Sequence, residues 1–121
     1  MPTSSAITDV TQETFAAEVE RSAVPVLVEL WAPWCAPCEA LGRVLEGVAE
    51  EYAGQAKVVR VNIDESPGVA ERFGIEGIPT VMLFARGVAR ERAMGLRPRE
   101  EYARFVQRAL AVAPRAETRA D

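Results

Sequence analysis

The sequence predicts an α/β fold: a central mixed β-sheet, mostly parallel with an antiparallel edge strand, flanked by four helices. Three observations lead there. Residues 24–31 are an almost unbroken apolar, β-branched run, such runs alternate with segments of helical period, and two late strands are separated by only a short glycine-containing stretch at Arg86 and Gly87. A strand apolar on nearly every residue must be covered on both faces, which crossover helices do. Two strands joined by a tight glycine turn form a hairpin and are antiparallel.

Taken in order, residues 6–10 read as a short first strand. Residues 11–21 follow as a helix, with Thr11 as its cap and Phe15, Ala16 and Val19 at helical spacing. Residues 24–31 are the doubly covered strand, and Glu29 is its single interior charge. From 35 to 52, Leu41, Val44, Leu45, Val48 and Ala49 keep the helical period and Gly54 supplies the stop, so Cys35 stands at a helix start. Residues 57–63 form a third strand, and 67–73 a short helix ended by Gly74. The hairpin pairs 80–84 with 88–94. Residues 98–112 make the last helix, with Pro98 in its first turn and Tyr102, Phe105, Val106 and Leu110 on one face.

The 121 residues form one domain over 1–121, with frayed tails expected at 1–5 and 113–121. A chain of this size, 49% hydrophobic, buries enough surface to fold without a disulfide or a metal. Its formal charge is -4 and its basic residues are scattered, which argues against nucleic acid as a partner. No apolar run approaches the roughly 20 residues that a membrane span needs. Residues 1–6 also lack the basic and apolar regions of an export signal. With only two cysteines, the expectation is a cytoplasmic, monomeric protein without a membrane partner, in a reducing compartment where a disulfide is transient.

Both cysteines lie in Trp31-Ala32-Pro33-Trp34-Cys35-Ala36-Pro37-Cys38. Two cysteines three positions apart in a helix's first turn can be bridged with modest adjustment. So small a loop restricts the unfolded chain by only roughly 2 kcal/mol, which makes stability a poor reason for it. Reactivity is a better one. Unpaired N–H groups and the positive end of the helix dipole favour a thiolate on Cys35. Cys38, one turn inside, is then placed to attack a mixed disulfide. Pro37 suits a first turn, where its missing N–H is not needed. A zinc site would require two more ligands, and the chain has no histidine and no third cysteine. The spacing by itself is also compatible with a cluster shared between two chains or with two inert core cysteines.

At WCAPC the sequence resembles a thioredoxin. The resemblance runs through VLVELWAPWCAPC at 26–38, VNID at 61–64, FGIEGIPTVMLF at 73–84, then Gly87 and Gly95. It implies the thioredoxin fold, with Cys35 as nucleophile and Cys38 as resolving thiol. It also implies a cis Ile78-Pro79 peptide facing the cysteines, where a trans proline opening a strand is the alternative. Trp34, Ala36, Pro37, Gly77, Ile78, Pro79, Gly95 and Leu96 would then line a substrate groove. For Trp34 and Ile78 the competing reading is core packing, and for the glycines plain turns.

Several positions depart from the family's pattern. Glu29 stands where an aspartate is usual, in the place of a buried acid that moves the second cysteine's proton, and Arg60 stands where a lysine is common near that acid. Burial would raise the acid's pKa and a neighbouring cation would lower it, and a plain buried ion pair is the competing role for the two. Glu39 replaces a commonly basic residue, Ala36 a glycine and Arg43 a helix-kinking proline.

The resemblance implies a protein-disulfide reductase, an electron carrier in cell redox homeostasis. Its clients are disulfide-containing proteins, and a flavin-dependent thioredoxin reductase using NADPH is the electron donor. No cofactor is expected on this chain beyond the Cys35–Cys38 disulfide, since a glycine-rich nucleotide loop is absent. Two further functions fit the same residues: a disulfide oxidant or isomerase, and a thioredoxin-fold binding module with an incidental dithiol.

Overall fold

The computed structural model describes the backbone of residues 6–119 and the side chains of residues 6–112. Five strands, β1 (Ile7–Asp9), β2 (Val26–Trp31), β3 (Lys57–Asn62), β4 (Thr80–Ala85) and β5 (Val88–Met94), form one sheet in the order β1-β3-β2-β4-β5. A π-helical turn (Ala16–Glu20) precedes β2, and three α-helices complete the chain: α1 (Ala36–Glu51), α2 (Pro67–Arg72) and α3 (Arg99–Arg119). No described helix is long and apolar enough to cross a membrane.

β2 is central. It pairs with β3 in parallel, Leu27 against Val58 and Glu29 against Arg60, and with β4 antiparallel, Leu30 against Thr80. The mixed sheet is as expected, but its reversed strand, β4, lies inside the sheet between β2 and β5. The connection explains this. α2 has six residues and a length of about 9 Å, whereas a six-residue strand spans about 20 Å. The helix is too short to return the chain along the sheet, so β4 enters at the end where β3 finishes and runs back.

Alternation along β2 divides the core in two. Val26, Val28 and Leu30 face a cluster containing Phe15, Val19, Val69 and Phe84, under the π-turn and α2. Leu27 faces the other, containing Leu41, Leu45, Val48, Tyr102 and Val106 of α1 and α3. Phe15, Phe73 and Phe84 meet with ring centroids 5.4 to 5.8 Å apart. By the same period of two, Glu29 shares the face of Leu27 and lies beneath α1.

Two elements differ from the sequence reading. The first helix does not run from Thr11. Thr11 N–H is taken by Thr14 Oγ1 at 3.0 Å, Gln12 N–H by Ser66 Oγ at 3.0 Å, and Gln12 Oε1 accepts from Gly68 N–H at 3.1 Å. These bonds hold 11–14 as a turn against the start of α2, and Phe15 caps the helical turn without a side-chain bond. That turn is π-wound, with Arg21 N–H reaching Ala16 O at 2.8 Å. The last helix continues to Arg119 rather than stopping at Val112, so the tail expected to fray from 113 has helical backbone as far as 119. The tail 1–5 lies outside the described residues. The hairpin turn is as read, with Arg86 (φ 55°) and Gly87 (φ 80°) both left-handed, as a two-residue turn of this hand requires.

Leu41 sits on α1 one turn beyond Cys38 and is fully buried. Leu41→Ala is expected to lower the unfolding free energy by about 2–5 kcal/mol in urea titration, because the sheet beneath cannot collapse into the space.

Candidate functional site

Cys35 is the N-cap of α1, with extended backbone at φ -104°, ψ 100°, and Pro37 falls in the first turn. The loop that delivers it from β2 is pinned by Cys35 N–H to Ala32 O at 3.1 Å. Cys38 N–H points back at Cys35, 3.1 Å from its carbonyl oxygen and 3.3 Å from Sγ. The two sulfurs are joined as a disulfide with Cα atoms 5.3 Å apart. Cys38 is wholly buried, while Cys35 retains 8% of its surface. Ala36 and Pro37 between them are exposed. The pair is thus asymmetric by position, the outer sulfur at the helix mouth and the inner one under the first turn.

Beneath the same helix lies Glu29. It is fully buried, with Oε1 accepting from Arg60 Nε at 3.2 Å. Among the described residues, Oε2 has no hydrogen-bond partner. Burial is the dominant influence on this acid and lifts its pKa from 4.5 to about 7, against the opposing pull of the Arg60 charge and hydrogen bond. Arg60 is itself held from behind, its guanidinium carbon 4.0 Å from the Trp31 ring centroid. Gly42 of α1 closes the site from above. A Cβ there would stand 3.8 Å from both Glu29 Oε1 and the Arg60 guanidinium.

The rim comes from three loops. Trp34 is 68% exposed, which removes core packing as its role, and its Nε1–H donates to Asp64 Oδ2 at 3.0 Å. Asp64 in turn donates its backbone N–H to neighbouring Asn62 Oδ1 at 2.9 Å. The Ile78-Pro79 peptide is cis. Since β4 opens at Thr80 opposite Leu30, Pro79 lies level with Trp31, at the end of β2 from which the cysteine loop departs. Thr80 Oγ1 donates to Gly77 O at 2.6 Å, and Gly95 N–H donates to Pro79 O at 2.8 Å. A Cβ on Gly77 would stand 3.0 Å from Met94 Sδ, so a side chain there would need the methionine to give by a few tenths of an ångström. Gly95, at φ 89°, and Arg97 are both tied to the Tyr102 hydroxyl. Ile78 is half-buried and packs in part on the core, whereas Leu96 is exposed.

Two clusters therefore form among the expected residues. Glu29 and Arg60 meet under α1, and Gly77, Ile78, Pro79 and Gly95 meet beside the end of β2. Leu96 joins the rim only through its neighbour Gly95. Trp31, Asp64 and Met94 also belong to the site, and residue spacing did not point to them. For Asp64 a signal was present in VNID, while Trp31 and Met94 act through residues distant in sequence. Among the described residues, no group of three His, Cys, Asp or Glu side chains converges as a metal site would require.

A bridged cysteine pair at the start of the helix after the central strand, with a buried acid on that strand, defines a thiol–disulfide oxidoreductase. Residues 6–108 match the Thioredoxin family, and the chain belongs to that family. It is 44% identical over 101 residues to Thioredoxin 1 of Synechococcus elongatus, covering 84% of this chain and 94% of that one. Against Thioredoxin 1 of a Nostoc species it is 43% identical over 106 residues, covering 88% and 99%. An M-type thioredoxin of Chlamydomonas reinhardtii, described as chloroplastic, is 43% identical over 101 residues, covering 84% and 72%. The chain is a thioredoxin-type protein-disulfide reductase that works by dithiol–disulfide exchange, with disulfide-containing proteins as clients and a reductase as partner.

The raised pKa of Glu29 makes stability depend on pH. Its folded value of about 7 lies above the ordinary 4.5, so between those values the folded state binds more protons than the unfolded one and stability falls as pH rises. The fall should reach about 3 kcal/mol by pH 8 and then level off. Urea unfolding of the oxidised protein at pH 5 and pH 8 should show it, and Glu29→Gln should flatten most of that slope.

Proposed function

We propose that Cys35 is the nucleophile of this reductase, Cys38 the resolving thiol and Glu29 the acceptor of the Cys38 proton. The supporting observation is the position of the pair at the mouth of α1. The Cys38 amide aims at the outer sulfur, the helix's N-terminal dipoles favour negative charge there, and the inner sulfur is wholly buried. In the reduced protein the Cys35 thiolate attacks one sulfur of a client disulfide, and the client's other sulfur leaves as a thiolate and takes a proton. The Cys38 proton passes to Glu29, whose Oε2 has no other partner among the described residues. The Cys38 thiolate then attacks Cys35 Sγ, closes the internal disulfide and expels the second client thiolate, which is protonated in turn. The client gains two electrons from the two cysteines and takes up two protons: one is the Cys38 proton, released through Glu29, and the other comes from solvent, because Cys35 reacts as the thiolate.

Arg60 orients Glu29 and limits how far its pKa rises. Trp34, Ala36, Pro37, Gly77, Ile78, Pro79, Gly95 and Leu96 form the surface on which the client segment lies. The exchange chemistry uses only sulfur and carboxyl groups of the chain itself. We assign recycling to a flavin-dependent thioredoxin reductase drawing on NADPH, and take the protein to be a cytoplasmic monomer and electron carrier. That compartment is supported by the low cysteine count.

Cys35→Ser should abolish insulin reduction completely. Cys38→Ser should stall as a mixed disulfide with its client, visible by non-reducing mass spectrometry as a covalent adduct released by dithiothreitol. Full turnover by Cys35→Ser would remove the assignment of the nucleophile.

A further inference from the structure

Of the five large hydrophobic side chains exposed among the described residues, Trp34, Met94 and Leu96 belong to the redox face. They surround the end of β2, continuous with the exchange site. The acidic side chains that follow or flank this surface are Glu39, directly after Cys38, Asp64 and Glu65 at the Trp34 contact, and Glu76, directly before Gly77. All four are exposed. Glu39, Glu65 and Glu76 make no side-chain hydrogen bond or ion pair among the described residues, and the Trp34 N–H leaves the charge on Asp64 in place.

The cations of the same end are differently arranged. Arg60 is committed to Glu29. Arg97 is held by Met94 O at 3.1 Å and Glu101 at 2.8 Å, Arg92 donates to Phe73 O, and Arg72 pairs with Glu20. Arg43 is exposed, lies one turn farther along α1 than Glu39, and lines one cavity with it and Arg60, which makes Glu39 the least isolated of the four carboxylates. The apolar surface at the exchange site is therefore bordered by an excess of negative charge: among the described residues four exposed carboxylates lack an ion pair, against the two guanidinium groups of Arg43 and Arg92.

We propose that this face selects clients in which a lysine or arginine stands next to the reactive cysteine. The apolar side chains supply contact area, and the carboxylates steer and orient the basic residue as the segment docks. This rests on the exchange role assigned to Cys35 and Cys38, and adds to it a basis for choosing among clients.

Three synthetic peptides with one intramolecular disulfide, differing only in a Lys, Ala or Glu beside the first cysteine, provide the test. The protein, reduced beforehand with dithiothreitol and desalted, is mixed with each peptide and its single-turnover oxidation rate measured. The Lys peptide should react about tenfold faster than the Glu peptide at about 10 mM ionic strength, with the Ala peptide between them, and the gap should close near 1 M salt. In the Glu39→Gln/Glu76→Gln double variant the Lys-to-Glu ratio should fall at least about threefold. Because it is a ratio, it cancels any change in Cys35 reactivity. Equal rates for the three peptides, or a ratio indifferent to salt or to the double variant, would overturn the proposal while leaving exchange intact. Failure of all three peptides to react would overturn both.

Discussion

The helix that carries the cysteines hangs from the central strand by a short loop, and the Cys35 N–H bond to Ala32 O fastens its first turn to the end of β2. Everything at the site takes its position from that attachment. With α1 starting there and its apolar face laid on Leu27 and Val58, the free amides of its first turn point out of the sheet's C-terminal edge, and Cys38 is carried beneath them. β4 enters at the same edge because α2 is too short to return the chain, which sets the Gly77–Pro79 segment beside the cysteine loop.

Burying Glu29 works against the stability of this arrangement. A carboxyl with a pKa near 7 in the folded protein forfeits about 3 kcal/mol at alkaline pH, a sizeable part of the roughly 5–15 kcal/mol that holds an ordinary domain together. A leucine at the same place would carry no such penalty. The charge that opposes this, on Arg60, reaches only one carboxyl oxygen, and Trp31 fixes the guanidinium from its other side. Among the described residues the other oxygen has no partner, which leaves a buried acid that changes its protonation near neutral pH.

How much was legible depends on how local each cause was. The doubly buried β2, the helix starting at Cys35, the left-handed Arg86-Gly87 turn and the apolar face of α3 could all be read, because period and turn chemistry act within a few residues. Thr11 misled for the opposite reason: a threonine before a helical pattern is a sound cap signal, but Ser66 and Gly68 engage Gln12 across 54 and 56 residues of chain. The interior place of β4 was likewise hidden, since it follows from comparing the length of α2 with the depth of the sheet.

By itself, the sequence determined the reactive pair, its place at a helix start and the presence of an acid within one apolar strand and of Arg60 within another. These follow from residue identity and spacing, which are intact in the unfolded chain. Tertiary structure alone decided that Arg60 reaches only one oxygen of Glu29, that Trp31 backs its guanidinium, and that Asp64 anchors Trp34 across 30 residues. Such contacts arise only when strand pairing and burial bring distant segments together. The properties that depend on them, a displaced pKa and an acidic rim around an apolar surface, come from that environment and not from any one residue.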